Sequence, residues 1–294
     1  MFRNQPIILL YAVIFLLVSS IPVNADKVEF ILNRCNINYD IPEASGSVKN
    51  MPWINDEEFL KAKEKYNTPI LMAGFCAVLK NPLPGEEHNV FKAAKSIKGQ
   101  VIKHSKVFSQ NERIGPYTLE RGYKEGSSFA GDKIIMTEGG GVCKIATSLY
   151  NLTVLSNLEI VERHYHAMPV NYVPYGQDAT VAYGVKDFKF KNTTEGNILI
   201  WSELVGHRLY MAFYGSEYPP EIIWNHEISN IVPPSIKYIK NKALSPGEMI
   251  TKIKGMDGAS VNSSITITYS DGTVEFKKMS PSHYLPLPEV IEAN

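Results

Sequence analysis

The chain has 294 residues, 44% of them hydrophobic and 20% charged, with 30 basic residues set against 30 acidic ones. Zero formal charge gives no basic field for a nucleic acid to follow, and 12 Phe, 16 Tyr and 3 Trp supply enough apolar bulk to exclude a disordered chain. Three cysteines are too few for a disulfide-built scaffold or an array of zinc fingers.

The first residues read as an export signal. Arg3 precedes the uncharged apolar run Ile7 to Val18, and Val23 and Ala25 occupy the small-residue positions of a cleavage site after Ala25. The run is shorter than the ~20 residues a membrane span needs. Residues 1–25 are therefore predicted to be a signal peptide, with an uncleaved anchor as the alternative and the mature protein secreted or cell-wall associated. Export permits a Cys35–Cys76 bridge; a buried, inert Cys76 thiol is the other reading.

Val28 to Leu32 is a candidate strand, and Asn55 is placed to cap a helix running to Tyr66. Residues 81–87, rich in Pro and Gly, read as a loop before a short helix from Glu87 to Ile97. A second helix is predicted from about Val142 to Ser156, after Gly139-Gly140-Gly141, with Ile145, Leu149 and Leu152 at helical spacing and Asn157 as its stop.

From Leu158 onward the pattern is mainly β. Asp187 to Lys191 alternates with period two, and Ile198–Leu204 and Arg208–Tyr214 flank a hairpin turn at Val205-Gly206-His207. Pro219-Pro220 and Pro233-Pro234 bracket what reads as a linker or irregular edge. Ile265–Tyr269 and Thr273–Phe276 alternate on either side of Asp271-Gly272, a strong hairpin signal. Strands with a few segregated helices predict an α+β fold, mainly antiparallel sheet, with residues 216–294 as a small C-terminal β module that is structural or wall-binding rather than catalytic.

Cys143 stands at the start of the helix that follows the three glycines. A helix N-terminus carries unpaired N–H groups and partial positive charge, which favour thiolate over thiol. Amides at Gly140 and Gly141 are candidate oxyanion donors, and Lys144 beside the cysteine helps keep it ionised. A small packed cysteine after a tight turn is the plainer reading. If 159–166 is a strand, His164 and His166 share one face and either can serve as general base. Asp178 is a candidate to orient the imidazole, or simply caps a turn. The same His-x-His pair with Cys143 and Asp178 could instead furnish zinc ligands. Arg121 can hold a substrate carboxylate or form a surface pair with Glu120. Asn192-Thr193-Thr194 matches a glycosylation acceptor.

Taken in order, Val107 to Asn111 (VFSQN), IGPYTLERGY from Ile114, GGGVCKIATSLYN from Gly139, the stretch from Leu158 to Val181 and DFKFKN from Asp187 resemble the VanW domain over about residues 81–215. The resemblance implies an exported cell-wall protein of mainly Gram-positive bacteria, of the kind linked to glycopeptide resistance. It further implies cysteine-dependent L,D-transpeptidase chemistry on peptidoglycan stem peptides, with Cys143 as nucleophile and His166 as the family's recurrent histidine. A non-catalytic wall-binding accessory protein and a Cys/His cell-wall peptidase are the alternatives. Stem peptides are the expected partner, with no nucleic acid, no cofactor, no metal, and membrane contact only through an uncleaved signal segment. Residues 26–80 match nothing nameable. The chain departs from the family's Cys-Gln-x-Ser-Thr-Thr at Lys144, Ala146 and Ser148, and from its His-Ser pair at Ala167.

Overall fold

The computed structural model describes residues 39–82, 84–130 and 133–294; the predicted signal peptide, the Val28–Leu32 strand and Cys35 lie outside them. The strands in chain order are β1 (Gly46–Ser47), β2 (Ile70–Val78), β3 (Val101–Ile102), β4 (Val107–Ser109), β5 (Glu125–Ala130), β6 (Lys133–Glu138), β7 (Glu159–Glu162), β8 (Lys189–Lys191), β9 (Ile198–Val205) and β10 (Arg208–Gly215). Seven more follow: β11 (Glu221–Val232), β12 (Ile236–Lys240), β13 (Met249–Ile253), β14 (Gly258–Thr268), β15 (Val274–Lys278), β16 (Ser282–Tyr284) and β17 (Glu289–Ala293). The helices are α1 (Glu57–Tyr66), α2 (Pro84–Ile97), α3 (Gln110–Ile114) and α4 (Cys143–Leu155), and the fold is α+β with mainly antiparallel sheets.

The central sheet runs β1-β2-β10-β9-β3, antiparallel throughout. Alternation along β10 divides its side chains between two buried faces. Leu209, Met211 and Phe213 join the core with Val90 and Ala93 of α2 and Ile145 and Leu149 of α4. Tyr214 turns to the opposite face, where Phe59 of α1 lies 4.7 Å from its ring and Trp53 Nε1 donates to its hydroxyl at 3.0 Å. Burial on both faces explains the near-continuous apolar run of β2. Because β2 pairs with β10, residues 70–78 share one sheet with the predicted VanW segment, and a boundary at residue 80 divides no separate core. Cys76 on β2 is a free, fully buried thiol, and burial pushes it up to about 12.

A small sheet, β4-β8-β7, packs beside the central one through Phe190, which lies 5.1 Å from Phe213. The tail forms two further sheets, β11-β14-β15 with β16 also on β14, and β12-β17-β13. Ile265 and Ile267 of β14 belong to the same apolar cluster as α4, so the core runs from the VanW-like segment into the tail without a break.

Several local expectations need correction. The cap of α1 is Asp56, whose carboxylate accepts from Phe59 N at 3.0 Å, not Asn55. Helix α2 begins at Pro84, a residue suited to a first turn because its missing N–H is unpaired there anyway. The segment between the proline pairs is the twelve-residue strand β11, paired along most of β14. Asn192 is fully buried with its amide on Ile102 O and Gly196 O, so it offers no acceptor for glycosylation. Among the described residues no helix is long and apolar enough to cross a membrane.

Candidate active site

Cys143 is aimed by the turn between β6 and α4. Gly139 and Gly141 take φ of 72° and 104°, values that side chains rarely adopt. Gly140 is pressed against β5, where an added Cβ would sit 2.2 Å from Gly126 backbone. Asn89 of α2 fixes the turn, its amide donating to Gly140 O at 2.9 Å and to Lys124 O at 2.8 Å. Val142 holds the N-cap position without a side-chain cap, and Cys143 is the first residue of the helix. The thiol is half-buried, with Sγ 3.3 Å from Thr180 Oγ1 and 3.7 Å from Val181 O.

The same helix holds the segment that faces the thiol. Thr147 Oγ1 donates to Ala179 O and accepts from Ala179 N, both at 3.0 Å, and Asn151 donates to Gln177 O at 2.8 Å. Asp178 and Thr180 are thereby fixed relative to Cys143. Asp178 Oδ2 accepts from His166 Nδ1 at 2.6 Å and from His166 N at 2.7 Å. Its Oδ1 accepts from Arg163 at 3.1 Å and from the Tyr284 hydroxyl at 2.5 Å.

Electrostatics follow from this wiring. Burial pushes Asp178 up, but the His166 hydrogen bond and charge, then Arg163 and Tyr284, bring it down to about 2. Burial alone would lower His166; hydrogen bonds to Asp178 and Cys143 raise it to about 9 instead. Burial likewise opposes a Cys143 thiolate, and the hydrogen bond and charge of His166 overcome it, lowering the thiol to about 7. These shifts, a lowered thiol beside a raised imidazole, favour a thiolate–imidazolium pair backed by a carboxylate.

Beside the thiol is a cavity of about 600 Å³. Cys143, His166 and Thr180 border it, as do Ser127, Ser128 and Thr137 of the β5–β6 hairpin. Lys144, Tyr172 and Lys186 also line it. Lys144 is engaged by the carboxylate of Glu86 and sits 4.7 Å over the Tyr172 ring.

Of the residues predicted from sequence, Cys143, His166 and Asp178 come together, and Gly141 and Lys144 line the cavity. His164 does not join them. Strand β7 stops at Glu162, and His164 pairs back to Glu162 Oε1 at 3.0 Å while Arg163 turns inward. The His-x-His zinc grouping is therefore not assembled. Arg121 is exposed, donates to Gly115 O at 2.7 Å, and does not line the cavity. The N–H of Gly140 closes the turn onto Thr137 O at 3.2 Å, so it is not available to an oxyanion. The positive charge that lowers the thiol is that of His166 rather than Lys144. Sequence reading missed Thr180, Arg163 and Tyr284, for which no local motif gives a signal.

Residues 85–214 match the family model described as "VanW like protein". That segment, under half of the chain, is VanW-like. The uncharacterized protein YoaR of Bacillus subtilis (strain 168) is 35% identical over 130 residues, 44% of this chain and 43% of YoaR. The vancomycin B-type resistance protein VanW of Enterococcus faecalis (strain ATCC 700802 / V583) is 27% identical over 163 residues, 53% of this chain and 57% of that one. The chain thus spans about half the length of the curated relatives it matches. Among solved structures, the IgA1 protease G5 domain is 22% identical over 27% of this chain and 96% of its own, with TM-score 0.17. HP0197-G5 is 14% identical over 25% and 99%, with TM-score 0.15. Superpositions this poor bear no weight. Within the VanW-like segment, the departure at Ala146 is a packing change, because that side chain is fully buried in the core; Lys144 and Ala167 are departures that border the cavity.

Proposed function

We propose that this protein is an exported, cell-wall-associated L,D-transpeptidase in which Cys143 carries an acyl group between peptidoglycan stem peptides. The observation that carries the reading is the row Cys143–His166–Asp178 beside an accessible cavity, with the thiol lowered to about 7. The likeness of residues 85–214 to the VanW family supports the cell-wall setting.

In this reading the Cys143 thiolate attacks the carbonyl carbon that precedes a terminal D-Ala. Backbone N–H groups of Gly141 and Cys143, at the positive end of α4, receive the charge developing on oxygen. The C–N bond breaks, His166 gives its proton to the departing amine, and D-Ala leaves a thioester on Cys143. An amine of a neighbouring stem attacks the thioester carbonyl, its proton passes to His166, and the thiolate is restored. Asp178 holds the imidazole with Nδ1 protonated and Nε2 toward sulfur. Lys186, on the cavity wall, takes the carboxylate-binding role that sequence had given to Arg121.

The test is product analysis after incubation with tetrapeptide muropeptides. Wild type yields cross-linked dimers and free D-Ala, while Cys143→Ala and His166→Ala yield neither. Shortened monomers in place of dimers would assign the site to a peptidase. Unchanged muropeptides bound by folded wild-type protein would overturn catalysis in favour of an accessory binder.

A further inference from the structure

The tail of the chain reaches the reacting groups. Strand β16 lies along β14, with Ala259, Ser260 and Val261 opposite Tyr284, His283 and Ser282. Tyr284 is buried, and its hydroxyl donates to Asp178 Oδ1 at 2.5 Å while accepting from Gly176 N at 2.9 Å. Ser282, also buried, accepts from Arg163 at 2.9 Å. The next residue, Leu285, donates its N–H to Ala167 O at 2.8 Å. The Tyr284 ring packs edge-on to Tyr165 at 5.9 Å and to Tyr175 at 5.4 Å.

These contacts converge on one segment. Residues 163–178 carry both His166 and Asp178, and from Arg163 to His166 they run as irregular backbone with no ladder to hold them. Side chains on such backbone keep a fixed orientation only where neighbours tie them down. Asp178 divides its two oxygens, Oδ2 to His166 and Oδ1 to Arg163 and Tyr284. With Oδ1 tied, the carboxylate cannot rotate away from the imidazole.

We propose that Tyr284, seconded by Ser282 through Arg163, is a positioning residue by which the C-terminal β module holds Asp178, and through it His166, in line with Cys143. The module then forms part of the site, and the VanW segment 85–214 alone holds only part of the machinery. This rests on the Cys143–His166–Asp178 reading above and goes beyond it in assigning a role to the tail.

The experiment measures the rate of iodoacetamide alkylation of Cys143 against pH on the full chain, with no muropeptide. Asp178→Asn sets the full effect of losing the carboxylate. Tyr284→Phe keeps the ring and removes only the hydroxyl; it should shift the profile in the same direction as Asp178→Asn and slow alkylation at pH 7 by roughly threefold to tenfold. Tyr175→Phe, whose hydroxyl bonds Asp257 O instead, should retain the wild-type profile. A Tyr284→Phe protein that melts like wild type and gives the wild-type profile would overturn the proposal. Should Tyr284→Phe fail to fold, Ser282→Ala takes its place: a shift toward the Asp178→Asn profile upholds the proposal and an unmoved profile ends it. If Asp178→Asn itself changes nothing, the three-residue reading has failed and the role of Tyr284 falls with it. A Tyr284→Phe shift in a protein that releases no D-Ala would uphold the positioning role while defeating the transpeptidase reading.

Discussion

His166 Nδ1 and Asp178 Oδ2 stand 2.6 Å apart, and the same oxygen takes the backbone N–H of His166 at 2.7 Å. A carboxylate held near a pKa of 2 only accepts, so Nδ1 carries a proton and Nε2 is left for the thiol. One residue thereby sets both the tautomer and the angle of the imidazole.

Thiolate formation at Cys143 should have its midpoint near pH 7 rather than at the ordinary 9. His166→Ala removes the stabilising charge while burial stays, so the midpoint should rise past 9 and alkylation at pH 7 should slow by ~10-fold or more. Cys76, fully buried, should stay unlabelled in folded protein. The check is intact-mass alkylation kinetics across pH 5–10; a His166→Ala profile identical to wild type would remove His166 from the site.

Asp178→Asn should also destabilise. It strips the countercharge from Arg163, whose side chain is 3% exposed, at a cost of about 3 kcal/mol. The sign with pH follows from the depressed carboxyl. Asp178 contributes stability above its unfolded value of about 3.9, and that contribution disappears as pH falls toward its folded value of about 2. Thermal melts should therefore show the gap between wild type and variant narrowing from pH 4 to pH 2. A gap of constant size across that window would mean the carboxylate is not depressed.

Lys144→Gln should leave the alkylation midpoint within about 0.3 pH units, because the Lys144 charge is spent on Glu86. A midpoint displaced by a full unit would show that the ammonium reaches the thiolate after all.

Gly140→Ala drives a Cβ into Gly126 backbone at 2.2 Å, and strand β5 has to move. Overpacking of this kind costs about 1–3 kcal/mol and pulls back the hairpin wall of the cavity. Calorimetry should show the loss, together with slower Cys143 alkylation; an unchanged melting temperature would mean the turn is looser than described.

Much of the fold was legible locally. The glycine turn, the helix from Cys143 to Leu155 and the Asp271-Gly272 hairpin each obey rules written within a few residues of sequence. Strand β11 carries the same kind of period-two alternation, but its flanking prolines outweigh it in a reading that lacks β14 as a partner. His164 shares a face with His166 only if strand periodicity continues past Glu162. There the side chain is already satisfied by His164, Lys189 and Asp187 N, and the strand ends. Tyr284 could not be found this way. It lies 106 residues from Asp178 in sequence, and only the pairing of β16 with β14 brings it there.

The central claim is that Cys143 becomes acylated. Intact-protein mass spectrometry after incubation with tetrapeptide muropeptides, wild type beside Cys143→Ala, tests it directly. The account predicts a mass increase equal to the donor minus D-Ala on wild type alone, with D-Ala free in solution. Unmodified wild-type protein, folded and with its thiol reactive to iodoacetamide, would contradict it.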